Sequence, residues 1–462
     1  MNVLLIIAII LIGILPILYE LRVKIFDFFN VKNLFIAYFL IILPISGYVS
    51  LATNDIDPII NLDTVVFNIY YTKAILATLV GLVCFQLGYY GTGNKSIKVP
   101  AFLKTTWIST NLSLLYWTFF IVGIGSFLLF LSVNGGLSNF LKNREYFRSE
   151  GVSGQGIYMY PSTQLLAFSA FLFFFNSIII KNKVISFFRS SITIAKVFTF
   201  FIICITPSLV FGFRSLTGIF ILQFLVIWNY GYKVIPFQKI IFILILLMAC
   251  FSFYGIYREI PVNEKVSFNS IQKVVSEHPQ IVYGILTRVK GTETVAAVIK
   301  RLETTKEYDL GYKSVYEALT VPIPHSIWKS KPIPSSVRFT TYFFGDQIAK
   351  TRGIKGKKNF GGIPSTVIGE AIWHFGWIGV VLVMFSLGVI FKKVYYTFKN
   401  NRNNFNVLFI YAIIFPNFVL FPEMLQGYVN GLILTTLFVG FIIVFLKLRI
   451  RFTYSESNSL AE

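Results

Sequence analysis

The chain has 462 residues, 55% of them hydrophobic and 13% charged, against about 25% charged residues in an ordinary soluble domain. Aromatic residues reach 18%, with 50 phenylalanines, and the formal net charge is +21. This excludes a soluble enzyme, a disordered chain and a secreted disulfide scaffold. The three cysteines, Cys84, Cys204 and Cys250, all sit in apolar runs and suit neither a zinc cluster nor a disulfide framework. What remains is a polytopic membrane protein.

A bilayer-crossing helix needs about 20 mainly apolar residues. Eleven such runs are readable, at 3–19, 34–52, 74–90, 111–133, 161–180, 195–212, 215–230, 240–257, 376–391, 406–421 and 430–446. The first lacks a preceding basic region and a small-residue cleavage site, so it reads as a retained span. The sixth and seventh are nearly continuous from Lys196 to Trp228. That stretch would be about 50 Å of helix, too long for one crossing and short for two. It therefore predicts a tight helical hairpin with Phe211-Gly212-Phe213-Arg214 at its tip, Gly212 supplying the backbone freedom.

Basic residues divide unevenly between the connections. The segments 20–33, 91–110, 181–196, 231–239, 392–405 and 447–462 hold 19 Lys and Arg, and the opposite short segments hold five. The bias puts the first set in the cytoplasm and the N-terminus outside. The large loop from Arg258 to about Ile363 then lies on the outer face. It carries 17 basic against nine acidic residues, a net +8. The chain is thus read as all-α, with about 11 transmembrane helices (range 10–12). It divides into a membrane bundle at 1–257, an outer loop domain at 258–363 and a C-terminal membrane segment at 364–462.

Within the loop, Ser270 to His278 and Gly291 to Leu302 read as amphipathic helices. Pro322, Pro324, Pro332 and Pro334 punctuate the middle. Gly353 to Gly362 is rich in Gly and Lys, with Lys355, Lys357 and Lys358, and cannot form a packed core. Pro364 then opens a short helix through Ile368, Glu370 and His374 toward Gly376. Glu370 and His374, four apart, share one helical face. The chain has no P-loop, no dinucleotide fingerprint, no HExxH and no GxSxG, so ATP-driven transport has no support. Charges inside the spans are scarce, which weighs against a secondary transporter.

Three stretches together resemble the bacterial O-antigen polymerase family, the Wzy-type polymerases of oligosaccharide repeat units, related to the O-antigen ligases. They are Phe211-Gly-Phe-Arg214-Ser215, Val321-Pro-Ile-Pro-His-Ser-Ile-Trp-Lys-Ser-Lys331-Pro332, and Pro364-Ser-Thr-Val-Ile-Gly-Glu370-Ala-Ile-Trp-His-Phe375-Gly376-Trp-Ile-Gly379. The hydropathy layout, with many spans and one large late outer loop, is similar too. The resemblance implies a GT-C-like membrane glycosyltransferase at the outer face of the bacterial cytoplasmic membrane. Its donor would be a growing glycan on undecaprenyl pyrophosphate, and its acceptor a single undecaprenyl-pyrophosphate-linked repeat unit. A chain-length regulator and a flippase would be partners, with no nucleic acid and no cofactor.

A pyrophosphate leaving group needs fixed positive charge, and Arg can fork onto its oxygens. Arg214 at the hairpin tip is the first candidate, with snorkelling to lipid head groups as the plain alternative. Arg258, Arg288, Lys331 and the pair Arg144 and Arg148 are further candidates for substrate or pyrophosphate binding. Glu370, His374 and His325 are the candidate acid–base residues for the acceptor hydroxyl. Glu370 could instead compensate the helix N-terminus. No metal ligand set is expected; Asp55 and Asp57 form the one Asp-x-Asp pair in the outer loops and read as a solvated or capping pair. An O-antigen ligase would share the donor chemistry. A non-enzymatic flippase would want charges inside several spans and little loop, so the 105-residue loop favours an enzyme.

Overall fold

The computed structural model describes residues 2–53, 64–94, 96–100, 103, 109–142, 159, 161–177, 191–211, 214–259, 267–277, 290–320, 323, 327–328, 330–351, 363–437 and 439–441. Among these residues every regular element is a helix. The N-terminal part comprises α1 (Asn2–Arg22), α2 (Val31–Leu40), α3 (Ser46–Thr53), α4 (Thr64–Gly91), α5 (Ser109–Val133), α6 (Gly136–Lys142) and α7 (Leu166–Phe175). It continues with α8 (Ser191–Val210), α9 (Arg214–Ile227) and α10 (Phe237–Glu259). The loop region holds α11 (Phe268–Glu277), α12 (Gly291–Thr305), α13 (Tyr312–Thr320) and α14 (Ser335–Thr351). The chain then forms α15 (Val367–Asn400), α16 (Phe405–Leu420) and α17 (Leu425–Phe441).

Five helices are long and apolar enough to cross a membrane: Asn2–Arg22, Val31–Ala52, Asn68–Gly91, Leu112–Val133 and Val367–Asn400. The other apolar runs hold helices of 10–17 residues. The break between α8 and α9 falls at the predicted tip, where Phe211 packs its ring edge-on to Phe130, centroids 4.8 Å apart.

The centre of the bundle is α4 against the second half of α15. A Cβ on Gly88 would run into the Phe385 carbonyl, and one on Gly388 into the Phe85 carbonyl. These glycines let the two backbones touch, as small residues do where helices meet in lipid. Beside the crossing, Phe35 stacks on Phe85 at 4.5 Å, and Phe391 meets both edge-on.

Helix α12 belongs to the loop by sequence, yet it packs into this bundle. Val295, Ala296, Val298, Ile299 and Leu302 are buried. Pro44 cannot donate to its helix ladder, and a π turn at Ile41–Ile45 joins α2 to α3 there. Thr292 donates its hydroxyl to the Leu43 carbonyl at 2.7 Å. Gly291 abuts the Ile42 carbonyl, 11 residues or about 16 Å along from Val31. The other end of α12 is tied to α4 by Lys73 and Glu303, 2.6 Å apart.

At the start of α2 lies a second polar cluster. Lys32, fully buried, bonds Glu20 at 2.5 Å and the Tyr90 hydroxyl at 2.7 Å. Asp27 accepts from the hydroxyls of Tyr230 and Tyr395 at 2.6 and 2.8 Å. These groups satisfy one another and knit α1, α2, α4 and α15 together.

Helix α15 is two helices joined by a sharp turn. Phe375 and Gly376 leave helical geometry, and Gly376 takes φ 63° and ψ −149°, a conformation open to glycine. The chain folds back there, so that the Ala371 carbonyl packs against Gly379. Ile368 and Val380 consequently both face Gly81 of α4. The short limb, 367–374, enters the bundle with Val367, Ile368, Glu370, Ala371, Ile372 and Trp373 all buried. It begins three residues later than Pro364 predicts: Thr366 is the cap, its side chain accepting from the Gly369 amide.

Candidate functional site

The short limb of α15 meets the loop helices in one connected polar network. Glu370 is 4% exposed, with each oxygen engaged. Ser365 donates its hydroxyl to one, and the Gln426 amide donates to the other at 2.8 Å. Gln426 passes the network on through its side-chain amide, to the Ser314 carbonyl at 2.9 Å and to Asn430 at 3.0 Å. Asn430 donates to Glu317 at 2.7 Å, and the Ser335 amide donates to the other oxygen of Glu317 at 2.6 Å. Burial raises the Glu317 carboxyl above the usual carboxylate range, opposed by these hydrogen bonds and by the charge of Arg338.

Arg338 is the cation of the site. One guanidinium nitrogen lies 2.7 Å from Asp309, another donates to the Ser314 hydroxyl at 3.2 Å, and the group stacks over Trp373 at 5.1 Å. Its Nε is buried with no hydrogen-bond partner. Asp309 is held by its own amide, which donates to the Trp373 carbonyl at 3.1 Å. His374 completes the group. Its Nδ1 lies 3.3 Å from Asp309 Oδ2 without hydrogen-bond alignment, and its Nε2 lies 3.4 Å from the Ser314 hydroxyl. The imidazole is 13% exposed, more open than Glu370.

The local sequence explains this convergence. After α12, Lys306 takes a left-handed cap conformation, and Leu310 and Gly311 also have positive φ. The chain therefore reverses within a few residues and presents Asp309 beside His374. Helix α13 then aims Ser314 and Glu317 inward at a spacing of three. Pro332 and Pro334 stop the intervening segment, and α14 starts at Ser335 with Arg338 in its first turns.

Of the candidates read from sequence, Glu370 and His374 are brought together in this network, on one limb as their spacing predicts. Lys331 stands apart, donating to the Ile323 carbonyl at 2.9 Å. Arg144, Arg148, Arg288 and His325 lie outside the described residues, as do Asp55, Asp57 and the Gly- and Lys-rich stretch. Arg214 opens α9 and Arg258 lies near the end of α10, but their side chains are outside the described part. Asp309, Ser314, Glu317, Arg338 and Gln426 were not singled out by sequence. The one local signal was the Tyr308-Asp-Leu-Gly311 stretch, a turn pattern with a carboxylate in it.

The arrangement offers a guanidinium able to meet an anion, an imidazole set between a carboxylate and a hydroxyl, and buried carboxylates behind them. Such a set can hold a phosphate-bearing group and move a proton at a neighbouring hydroxyl. Comparison with protein-family models, curated proteins and solved structures finds no match for the chain.

Proposed function

We propose that this chain is a membrane glycosyltransferase that extends a surface polysaccharide from lipid-pyrophosphate-linked oligosaccharide repeat units. In this reading it resides in the bacterial cytoplasmic membrane with about 11 spans, and its loop helices face outward. The observation that carries the reading is the joining of Arg338, Asp309, His374 and the Glu370–Gln426–Glu317 chain at the meeting of loop and membrane helices. Arg338 binds the pyrophosphate of the donor. His374, whose Nδ1 lies beside Asp309, takes the proton of the acceptor hydroxyl. That oxygen forms its bond to the anomeric carbon as the bond from that carbon to the phosphate oxygen breaks, releasing the lipid pyrophosphate. Glu370, buried with both oxygens occupied, acts through position: it fixes Gln426 and the limb that carries His374.

The test is purified protein in proteoliposomes supplied with a lipid-pyrophosphate-linked repeat unit. A ladder of longer products is expected. His374→Ala should slow it about 10²–10⁴-fold, the range for loss of a general base. Glu370→Gln, which keeps the shape, should give shorter ladders with a smaller loss. Folded wild-type protein that forms no new glycosidic bond would overturn the reading.

The outward placement of the loop has its own check. In a variant whose native cysteines are replaced, Thr304→Cys at the exposed end of α12 should react with an impermeant thiol reagent in intact spheroplasts. Asn403→Cys, on the turn after α15, should stay protected until the membrane is opened. The reverse pattern would put the loop inside and remove access to an outer-face substrate.

A further inference from the structure

Helix α13 is amphipathic in the wrong sense for water. Its inward side is polar: Ser314, Glu317 and Thr320 are 4–5% exposed. Its outward side is apolar: Tyr312, Val315, Tyr316 and Leu319 are 63%, 61%, 50% and 73% exposed. The outward residues recur at spacings of three and four and so form one stripe. A water-facing helix would carry that stripe on the inside.

The stripe runs on to an exposed apolar side of α15. The turn before α13 packs on the turn within α15. A Cβ on Gly311 would sit 3.4 Å from the Phe375 ring, and one on Gly376 would sit 3.5 Å from the Tyr308 ring. From there the long limb of α15, a helix able to cross a membrane, exposes Ile378 at 70% and Leu382 at 58%. Tyr308, Tyr312, Tyr316, Trp328 and Trp377 border this surface, and Tyr316 and Trp328 set their rings 6.3 Å apart. Tyr and Trp gather where hydrocarbon meets head groups. Lys313, the charged residue beside the stripe, is turned back to 4.0 Å from Asp309 and 5.6 Å from the Tyr312 ring, keeping its charge at the polar edge.

We propose that α13 lies in the membrane interface with its Tyr312–Leu319 face in lipid hydrocarbon, so that the polar site on its other face opens sideways at the bilayer surface. The occupant of the stripe is bilayer lipid, because among the described residues the stripe runs on, through the Gly311–Phe375 and Gly376–Tyr308 contacts, to the exposed apolar side of a helix long and apolar enough to cross a membrane. An exposed apolar patch on a loop helix is then a bilayer contact. This placement does not depend on the glycosyl-transfer chemistry.

The test uses the full chain in proteoliposomes, with the native cysteines replaced and an environment-sensitive fluorophore on Leu319→Cys or, in a second variant, Val315→Cys. Nitroxide-bearing phospholipids, labelled near the head group, should quench both positions several-fold more strongly than aqueous iodide does. A fluorophore on Thr304→Cys should show the opposite order. Stronger quenching by iodide at Leu319 and Val315 would overturn the proposal and leave α13 in water. Shielding from both quenchers would overturn it too, because the stripe would then be covered by protein, such as a second copy of the chain.

Discussion

Arg338→Ala is expected to stop chain growth, leaving the repeat unit unextended, and to destabilise the fold at the same time. The two effects have different origins and can be separated. Arg338 is the nearest cation to Asp309, which is 8% exposed, so its removal leaves that buried carboxylate with only the more distant Lys313 and the neighbouring His374 imidazole. Breaking a buried pair in this way costs about 3–5 kcal/mol. In the proposed reaction, loss of the guanidinium also removes the charge that meets the leaving pyrophosphate, where one lost donor typically costs about 10²–10³ in rate. Pairing Arg338→Ala with Asp309→Asn should return much of the stability, read as the denaturation midpoint in detergent. It should return none of the activity. Arg338→Lys keeps the charge but loses the fork and the flat contact with Trp373, so an intermediate rate is expected. Wild-type ladders from the double variant would reduce Arg338 to a structural ion-pair partner.

A stability loss of the same size is expected at Lys32, at the start of α2. Lys32→Met strands Glu20, which is 9% exposed and whose oxygens also receive Tyr90 and Asn33. The loss should again be about 3–5 kcal/mol, and Glu20→Leu alone should cost a comparable amount by stranding the fully buried ammonium. The double variant, Lys32→Met with Glu20→Leu, should lose much less than the sum, since two apolar groups of similar volume replace a desolvated pair. Strictly additive losses in thermal unfolding would mean that the two charges do not depend on each other.

The sequence made the apolar helices legible because each is a long run with few charges, and the hairpin at Phe211 followed from length alone. The limb carrying Glu370 and His374 was readable as a helix. Its start was misplaced because Pro364 fits a first helical turn equally well, whereas Thr366 wins by capping Gly369. Its fold back at Gly376 was not readable, since a glycine inside an apolar run gives no sign of its φ. The site was half hidden for a different reason. Arg338 is one of 17 basic residues in the loop, and nothing in its neighbourhood distinguishes it. What does distinguish it is a set of contacts 24 and 29 residues away, at Ser314 and Asp309. Gln426 meets Glu370 across 56 residues. Such pairings are set by packing, and no local spacing encodes them. Helix α13 was not read from the sequence, and the direction of its stripe depends on which side the bundle covers.

The buried start of the 367–374 limb bears on the order in which the protein is made. The amides of Thr366 and Val367 donate to the carbonyls of Glu423 and Pro422, and Glu370 is held by the Gln426 amide. When the ribosome has finished α15, none of these partners exists yet. A backbone donor in lipid without a partner is expensive, so the limb cannot settle in its final place at that stage. The newly inserted segment must wait, with its first turn in water or at the head groups, until the 26 residues from Asn401 to Gln426 have emerged at about 5–20 residues per second. The site therefore closes last, as the final helices arrive. Until then the Glu370–Gln426–Glu317 chain of hydrogen bonds is unjoined.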